Sequence, residues 1–251
     1  MTSPALETRR LSKSFGALVV TNEVDFKLER GARHALIGPN GAGKTTFINL
    51  ITGRIPHSAG CVLLDGEDVS ALPQEARVKR GLGRTFQINT LFPDLSVLEN
   101  VVMAVSERQG RGGDLFRPAG SRRDIIDEAY DLLERLRLAD DALRPVRTIA
   151  YGRQRLVEIA IALGLKPKVL LLDEPAAGVP SAETALILDV MAELPAEMAV
   201  LIIEHDMDLV FRFARRITVL VQGAVLTEGS PAEILADPRV REVYLGERRH
   251  D

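Results

Sequence analysis

The sequence predicts an α/β fold with a mostly helical insertion, and three observations support this prediction. Short apolar runs alternate with amphipathic stretches along most of the chain, which is typical of alternating strands and helices. A glycine-rich turn near residue 40 separates one apolar run from a helical pattern. From Ser96 to Leu165 the pattern changes to helix after helix, with no clear strand.

Composition sets limits on the function. The chain has 251 residues, of which 46% are hydrophobic and 27% charged, as in a globular protein that buries a full core. The net charge of −3 argues against a dedicated nucleic-acid binder, which usually has a clear basic excess. The single cysteine, Cys61, cannot form an internal disulfide, so we expect a reducing compartment and a small buried side chain.

The apolar runs are all short, and the first ten residues lack the apolar core of a secretory signal. None of the runs approaches the roughly 18 residues that span a bilayer. We therefore expect any membrane role to depend on a partner subunit.

The predicted elements follow the apolar patterns. The predicted strands are Arg33–Ile37, Leu82–Phe86, Val169–Leu172, Val200–Ile203 and Ile217–Val221. The predicted helices include Gly43–Ile51, Arg123–Leu136, Gln154–Leu163, Ala182–Leu194 and Asp208–Ala214. A break rich in glycine, from Ser106 to Gly120, is predicted as an exposed loop. We expect one domain, with a core of residues 1–89 and 164–251 and a helical insertion at about 90–163.

The glycine-rich turn carries the most specific motif of the sequence. Its residues match G-x-x-x-x-G-K-[ST], the phosphate-binding P-loop, and are Gly38, Pro39, Asn40, Gly41, Ala42, Gly43, Lys44, Thr45 and Thr46. Glycines let backbone N–H groups approach phosphate oxygens, and the positive end of the following helix faces them. We expect Lys44 to reach the β- and γ-phosphates and Thr45 to bind Mg²⁺.

A second motif is an apolar run, Val169–Leu172, that ends in two carboxylates. Asp173 comes directly after the buried strand, where it can hold Mg²⁺ through water, opposite Thr45. Glu174 is then placed to polarise the attacking water as a general base. Such a pair often marks only the end of a strand, and its specificity comes from the P-loop upstream.

Three further segments gain meaning from these two motifs. His205 ends another apolar run, which would bring it to the same sheet edge as the γ-phosphate. Gln87 follows a predicted strand where the core gives way to the helical insertion. A third segment precedes an apolar-faced helix and by itself indicates only a helix start; it consists of Ala150, Tyr151, Gly152, Arg153 and Gln154.

Together and in this order, the motifs resemble those of ABC ATPases over about Leu6 to Glu247. The resemblance implies hydrolysis of ATP with Mg²⁺. It also implies that Gln87 senses Mg²⁺ and the transmembrane subunit, that His205 contacts the γ-phosphate, and that Phe15 stacks on adenine rather than lying in the core. The stretch Ala150–Gln154 corresponds to the family's signature motif, which binds the γ-phosphate of ATP held by the other cassette of a dimer.

Finer features resemble the ATP-binding subunits of branched-chain amino-acid importers, although importers of urea, amides or organic acids share much of the pattern. The features are Arg84–Gln87, Ala150–Gly152, Asp173–Gly178, Asp237–Val240 and Tyr244–Glu247. Four residues depart from the family, one of which is Tyr151 in place of the signature's first glycine. Ala150 lacks the signature's serine hydroxyl, Arg153 replaces a glutamine, and Pro180 stands where many cassettes have an aspartate.

The resemblance implies permease subunits, a second ATPase subunit, identical or not, and indirectly a solute-binding protein as partners. It implies a peripheral position on the cytoplasmic face of the cell membrane. Ile88, Leu91 and Phe92 are then expected either near the permease or packed within the helical insertion.

Three alternatives compete with this interpretation. A soluble ABC ATPase of DNA repair or translation usually has long coiled coils or two cassettes in one chain, whereas this chain has one P-loop and no sustained heptads. A small-molecule kinase explains the P-loop but neither the signature stretch nor His205. A nucleotide-switched binding module that scarcely hydrolyses does not explain Glu174.

Overall fold

The computed structural model describes residues 3–85, 91–111 and 123–246, and this part of the chain forms ten strands and nine α-helices. The strands are β1 (Leu6–Phe15), β2 (Leu18–Leu28), β3 (Arg33–Ile37), β4 (Ala59–Leu64), β5 (Glu67–Asp68), β6 (Leu82–Arg84), β7 (Val169–Asp173), β8 (Ala199–Ile203), β9 (Arg216–Val221) and β10 (Ala224–Gly229). The helices are α1 (Lys44–Ile51), α2 (Gln74–Lys79), α3 (Val97–Arg108), α4 (Arg123–Arg135), α5 (Tyr151–Gly164), α6 (Ser181–Ala192), α7 (Met207–Phe213), α8 (Pro231–Ala236) and α9 (Pro238–Gly246).

The central sheet has the strand order β10-β9-β3-β8-β7-β6. Its five strands from β9 to β6 pair in parallel, and β10 pairs antiparallel at one edge. All five strands that the apolar runs predicted belong to this parallel part. Because parallel strands share one carboxyl edge, the segments that follow β3, β7 and β8 emerge side by side.

A second, antiparallel sheet has the order β2-β1-β4-β5. The apolar runs of the sequence do not predict this sheet, and the burial pattern explains why. In β2 most residues from Leu18 to Glu23 are exposed, and buried residues alternate with exposed ones only after that. Such half-exposed strands lack the continuous apolar run by which the parallel strands were predicted.

The core has two parts, one on each face of the central sheet. Alternate residues of the buried strands point to opposite faces: Leu170 and Leu172 of β7 join the cluster beneath α3 to α7, whereas Val169 and Leu171 join the cluster between the two sheets. Helix α1 lies in the second cluster through Phe47, Ile48, Leu50 and Ile51. The helix that follows the glycine-rich turn is thus fixed between both sheets.

Two predicted boundaries of the helical segment were wrong. The predicted loop began at Ser106, but α3 continues to Arg108. Its start is set by a capping box, in which Ser96 and Glu99 satisfy each other's backbone N–H groups. Helix α5 begins at Tyr151 rather than at Gln154, because Tyr151 and Gly152 already form its first turn.

Two smaller expectations also change. Strand β6 ends at Arg84, and the rest of the predicted strand, as far as Phe86, passes beyond the described residues. Cys61 is half-buried in β4 rather than a core residue. Across the described ranges, no helix is both long and apolar enough to cross a membrane.

Candidate functional site

The glycine-rich loop joins β3 to α1 and is held by β2 and β9. Gly43 has φ 95°, and a Cβ atom there would lie 2.6 Å from the carbonyl oxygen of Val20, so no other residue fits. Gly41 also has a positive φ, of 77°, but faces open space. Among the described residues no side chain caps the N-terminus of α1 at Gly43, so the first turn of α1 offers backbone N–H groups to an anion.

Lys44 folds over the loop that precedes it. Its Nζ donates hydrogen bonds to the carbonyl oxygens of Gly38, at 2.5 Å, and Pro39, at 3.0 Å. The ammonium charge is therefore held at the mouth of the glycine-rich loop, beside the start of α1.

Asp173 ends β7 with its side chain only 2% exposed, and it forms an ion pair that was not predicted from the sequence. Arg84 Nη2 of the neighbouring strand lies 2.8 Å from Asp173 Oδ2, and Arg84 Nη1 donates to Asn49 Oδ1 of α1 at 2.8 Å. One buried arginine thus joins β6, β7 and α1. The available signal was the arginine itself, which lies in a predicted core strand and requires a buried partner.

The donor set around Asp173 and Thr45 fits Mg²⁺ that arrives with a nucleotide. A carboxylate and a hydroxyl are oxygen ligands that Mg²⁺ accepts, usually together with phosphates and water. Thr45 is exposed on the first turn of α1. The described residues contain no cluster of three or more His, Cys, Asp or Glu that could hold a metal alone.

Glu174 and His205 come together, although they lie in different loops. Glu174 Oε1 is 3.8 Å from His205 Nδ1. The main chain of Glu174 adopts a left-handed conformation, with φ 47°, and its N–H donates to the carbonyl oxygen of Ile203 at 2.9 Å. Both side chains therefore stand at the carboxyl edge of the sheet, as the sequence predicted.

Glu204, between Ile203 and His205, is a second residue without a predicted role. It is 1% exposed, and its carboxylate accepts hydrogen bonds from two backbone N–H groups, those of Ala176 and His205. Its signal in the sequence was an acidic residue directly after a wholly apolar strand.

The signature stretch forms the N-terminus of α5 and contacts the segment after β7. Ala150 is the N-cap residue and provides no side-chain hydrogen bond. Instead, Gly152 N donates to Glu183 Oε2 of α6 at 2.9 Å, and Gly178 packs against the ring of Tyr151. A carboxylate from another helix therefore satisfies an N–H group of the first turn.

Two signature side chains bond within the helical segment. Arg153 forms an ion pair with Asp141 and donates to the carbonyl oxygen of Arg137 at 2.8 Å, whereas Gln154 donates to the carbonyl oxygen of Ile149 at 3.1 Å. The unusual arginine at position 153 therefore ties α5 to the segment that follows α4. The glycine-rich loop has different neighbours from the signature stretch. It packs against Val20, Leu220 and Gly223.

Phe15, at the end of β1, is 51% exposed, so it is not a core residue. Lys13 Nζ lies 4.9 Å from the centre of its ring. The strand after it, β2, contacts the glycine-rich loop through Val20.

Gln87 and Ile88 lie outside the described residues. Of the other two apolar residues in that region, Leu91 packs against the core and Phe92 is exposed.

Three comparisons with known proteins all indicate the same family. Residues 21–177 match the family model described as ABC transporter, and residues 224–250 match that of the branched-chain amino acid ATP-binding cassette transporter. Relatives include the high-affinity branched-chain amino acid transport ATP-binding proteins BraF of Pseudomonas aeruginosa and LivG of Escherichia coli K12, which are 39% and 38% identical; each alignment covers 98% of this chain and 100% of the relative. A crystal structure of an ATP-binding cassette in its ADP conformation has a TM-score of 0.84 and 30% identity, covering 98% of this chain and 100% of that one.

Proposed function

Because the chain belongs to the ABC transporter family of ATP-binding proteins, we propose that it is the ATPase subunit that powers an importer of branched-chain amino acids. The observation that supports ATP hydrolysis most directly is the convergence of two predicted groups, Glu174 and His205, at the sheet edge from which the glycine-rich loop also emerges. The branched-chain cargo is supported by the similarity to the relatives. Small polar solutes related to these amino acids are the alternative cargo.

In the proposed reaction, the phosphates of ATP lie in the loop Gly38–Thr46 and at the start of α1. Lys44 exchanges its carbonyl partners for the β- and γ-phosphates, which is favourable because a charged pair replaces neutral acceptors. Phe15 holds the adenine by its ring face. Thr45, Asp173 and Gln87 would hold Mg²⁺, which offsets the phosphate charge when bound.

Glu174 is the proposed general base. Its carboxylate accepts a proton from the water that attacks the γ-phosphorus, and the bond from that phosphorus to the leaving ADP oxygen breaks. His205, which is close to Glu174, contacts the γ-phosphate and orients it. Water is the only acceptor of the phosphoryl group in this proposal. A kinase would instead transfer that group to a second substrate.

Assembly supplies the remaining groups. We infer that the signature stretch Ala150–Gln154 completes the site of a second cassette, because the positive end of the α5 dipole favours an anion there. The N–H of Gly152 would have to exchange Glu183 for the phosphate of the second cassette's ATP. We further infer that residues 90–163 form a helical insertion on the core of residues 1–89 and 164–251. The exposed ring of Phe92 is then available to a permease subunit. The chain would thus act at the cytoplasmic face of the membrane.

The test combines sedimentation velocity with ATPase measurements. We expect the isolated chain to be mainly monomeric without nucleotide and to hydrolyse MgATP slowly without any acceptor. Reconstitution with the partner ATPase and permease subunits should raise the rate, and a solute-binding protein loaded with leucine should raise it further. A stable nucleotide-independent homodimer with full activity that the permease leaves unchanged would instead favour a soluble ABC ATPase.

A further inference from the structure

Glu204 is a buried carboxylate that the proposed mechanism does not yet use. Only 1% of the residue is exposed, at the point where β8 ends. Removing a carboxylate from water is costly unless hydrogen bonds compensate. Burial raises the pKa of Glu204, whereas the backbone N–H groups of Ala176, His205 and Asp206 oppose that shift by stabilising the charged form.

Its hydrogen-bond partners belong to the two loops that carry Glu174 and His205. Oε1 accepts from the N–H of Ala176 at 3.2 Å, in the loop after β7. Oε2 accepts from the N–H of His205 at 3.2 Å, in the loop after β8. A single side chain thus connects both loops, two residues beyond Glu174 in one and directly at His205 in the other.

The loop after β7 needs such an anchor, because Glu174 adopts an unfavourable backbone conformation. Its φ of 47° lies in the left-handed region, which residues with a side chain rarely occupy. Two backbone hydrogen bonds hold this turn: Glu174 N donates to Ile203 O at 2.9 Å, and Ala177 N donates to Glu174 O at 3.0 Å. The bond from Ala176 to Glu204 fixes the same turn from the neighbouring strand.

We infer that Glu204 is a positioning residue for ATP hydrolysis, whose carboxylate holds the Glu174 turn against the His205 loop. This rests on the proposed function, in which Glu174 is the general base. Without Glu204, the N–H groups of Ala176 and His205 lose their acceptor and the turn relaxes toward ordinary backbone angles. Glu174 then moves away from His205, which lies 3.8 Å from it. A displacement of about 1 Å at a reacting group can cost about 100-fold in rate.

Single-turnover hydrolysis, with the full chain in excess over radiolabelled MgATP, tests this inference. The variants are Glu204→Leu, which removes both acceptors, and Glu204→Gln, which keeps the shape and one carbonyl oxygen. We expect Glu204→Leu to slow hydrolysis by about 10- to 100-fold, and Glu204→Gln to slow it less. Affinity for a fluorescent ATP analogue should stay within about threefold of the parent, since the glycine-rich loop is unchanged. Glu228→Gln, in a half-buried glutamate of β10, serves as the matched control and should leave the rate unchanged.

A double-mutant cycle separates positioning from a general structural role. If Glu204 acts through Glu174, then adding Glu204→Gln or Glu204→Leu to Glu174→Gln should change the remaining rate by less than about threefold. Equal fold losses in both backgrounds, or an unchanged rate in both single Glu204 variants, would overturn the inference. So would a loss of nucleotide affinity that parallels the loss of rate. If Glu204→Leu does not fold, Glu204→Gln alone decides by the same criteria. A parent chain that binds ATP but never hydrolyses it would refute the proposed function itself.

Discussion

Arg84 and Asp173 form a buried ion pair that links the two neighbouring strands β6 and β7. Their side chains are 7% and 2% exposed, and the atoms Nη2 and Oδ2 are 2.8 Å apart. Asn49 accepts a second hydrogen bond from the same guanidinium, so α1 is included in the contact. The carboxylate proposed to hold Mg²⁺ therefore already has a positive partner within the protein.

Replacing Arg84 with methionine should strongly destabilise the protein without nucleotide. The carboxylate of Asp173 would remain buried without its guanidinium partner, which typically costs about 3–5 kcal/mol. Urea unfolding measured by circular dichroism gives the free energy of unfolding. Arg147→Met is the control, because Arg147 pairs with Asp94 on the surface and its loss should change little. Similar stability for Arg84→Met and the parent would contradict a stabilising role for the pair.

Lys44→Ala should abolish ATP hydrolysis and weaken ATP binding. The lost interaction is a charged hydrogen bond to phosphate, worth about 1.5–3 kcal/mol. Binding is measured by calorimetry and hydrolysis by release of phosphate. Lys168→Ala removes an exposed lysine that pairs with Asp65, and it should behave as the parent. Equal ATPase rates for Lys44→Ala and the parent would exclude the proposed role of the loop.

Glu174→Gln should retain ATP affinity but slow turnover by roughly 10²- to 10⁴-fold, the usual contribution of a general base. The amide keeps the size of the side chain and its hydrogen bonding but cannot accept the proton from water. Steady-state turnover and equilibrium binding are measured on the same preparation. If affinity falls in step with the rate, the carboxylate of Glu174 is structural rather than catalytic.

Phe15→Ala should weaken the binding of both ATP and GTP by about 1–3 kcal/mol, because stacking depends little on the identity of the base. Phe15→Tyr keeps the ring and should bind both nucleotides almost normally. Since Phe15 is half exposed, the change to alanine should leave the thermal unfolding temperature nearly unchanged. An unaltered dissociation constant for Phe15→Ala would show that this ring does not stack on the base.

His34 should make stability depend on pH. It is buried and its Nε2 lies 2.8 Å from Thr218 Oγ1, and burial lowers its pKa from 6.5 to about 4. Between these values the unfolded chain binds a proton that the folded chain does not, so stability decreases as the pH falls from about 6.5 to 4, by an amount on the order of 2–3 kcal/mol. Urea unfolding at several pH values should show a smaller decrease for His34→Gln. An identical pH dependence would mean that His34 does not contribute.

The sequence by itself determined the α/β class, the five parallel strands and the groups at their carboxyl ends. Continuous apolar runs such as Val169–Leu172, bounded by polar or turn residues, indicate buried strands. The strand that precedes the glycine-rich turn is especially clear, because a lysine, a threonine and a helical pattern follow the turn. Asp173, Glu174 and His205 were predictable for the same reason: each follows an apolar strand, and parallel strands end at one edge.

Only the tertiary structure decided which distant residues contact these groups. Arg84 meets Asp173 because β6 pairs with β7, Glu204 reaches Ala176 because β7 pairs with β8, and Glu183 reaches Gly152 because α6 lies against α5. None of these pairs has a local spacing that a sequence pattern could reveal, since each is created by strand order or helix packing. The antiparallel sheet was missed for a related reason: its strands are half exposed, and their stability comes from pairing with each other rather than from local hydrophobicity.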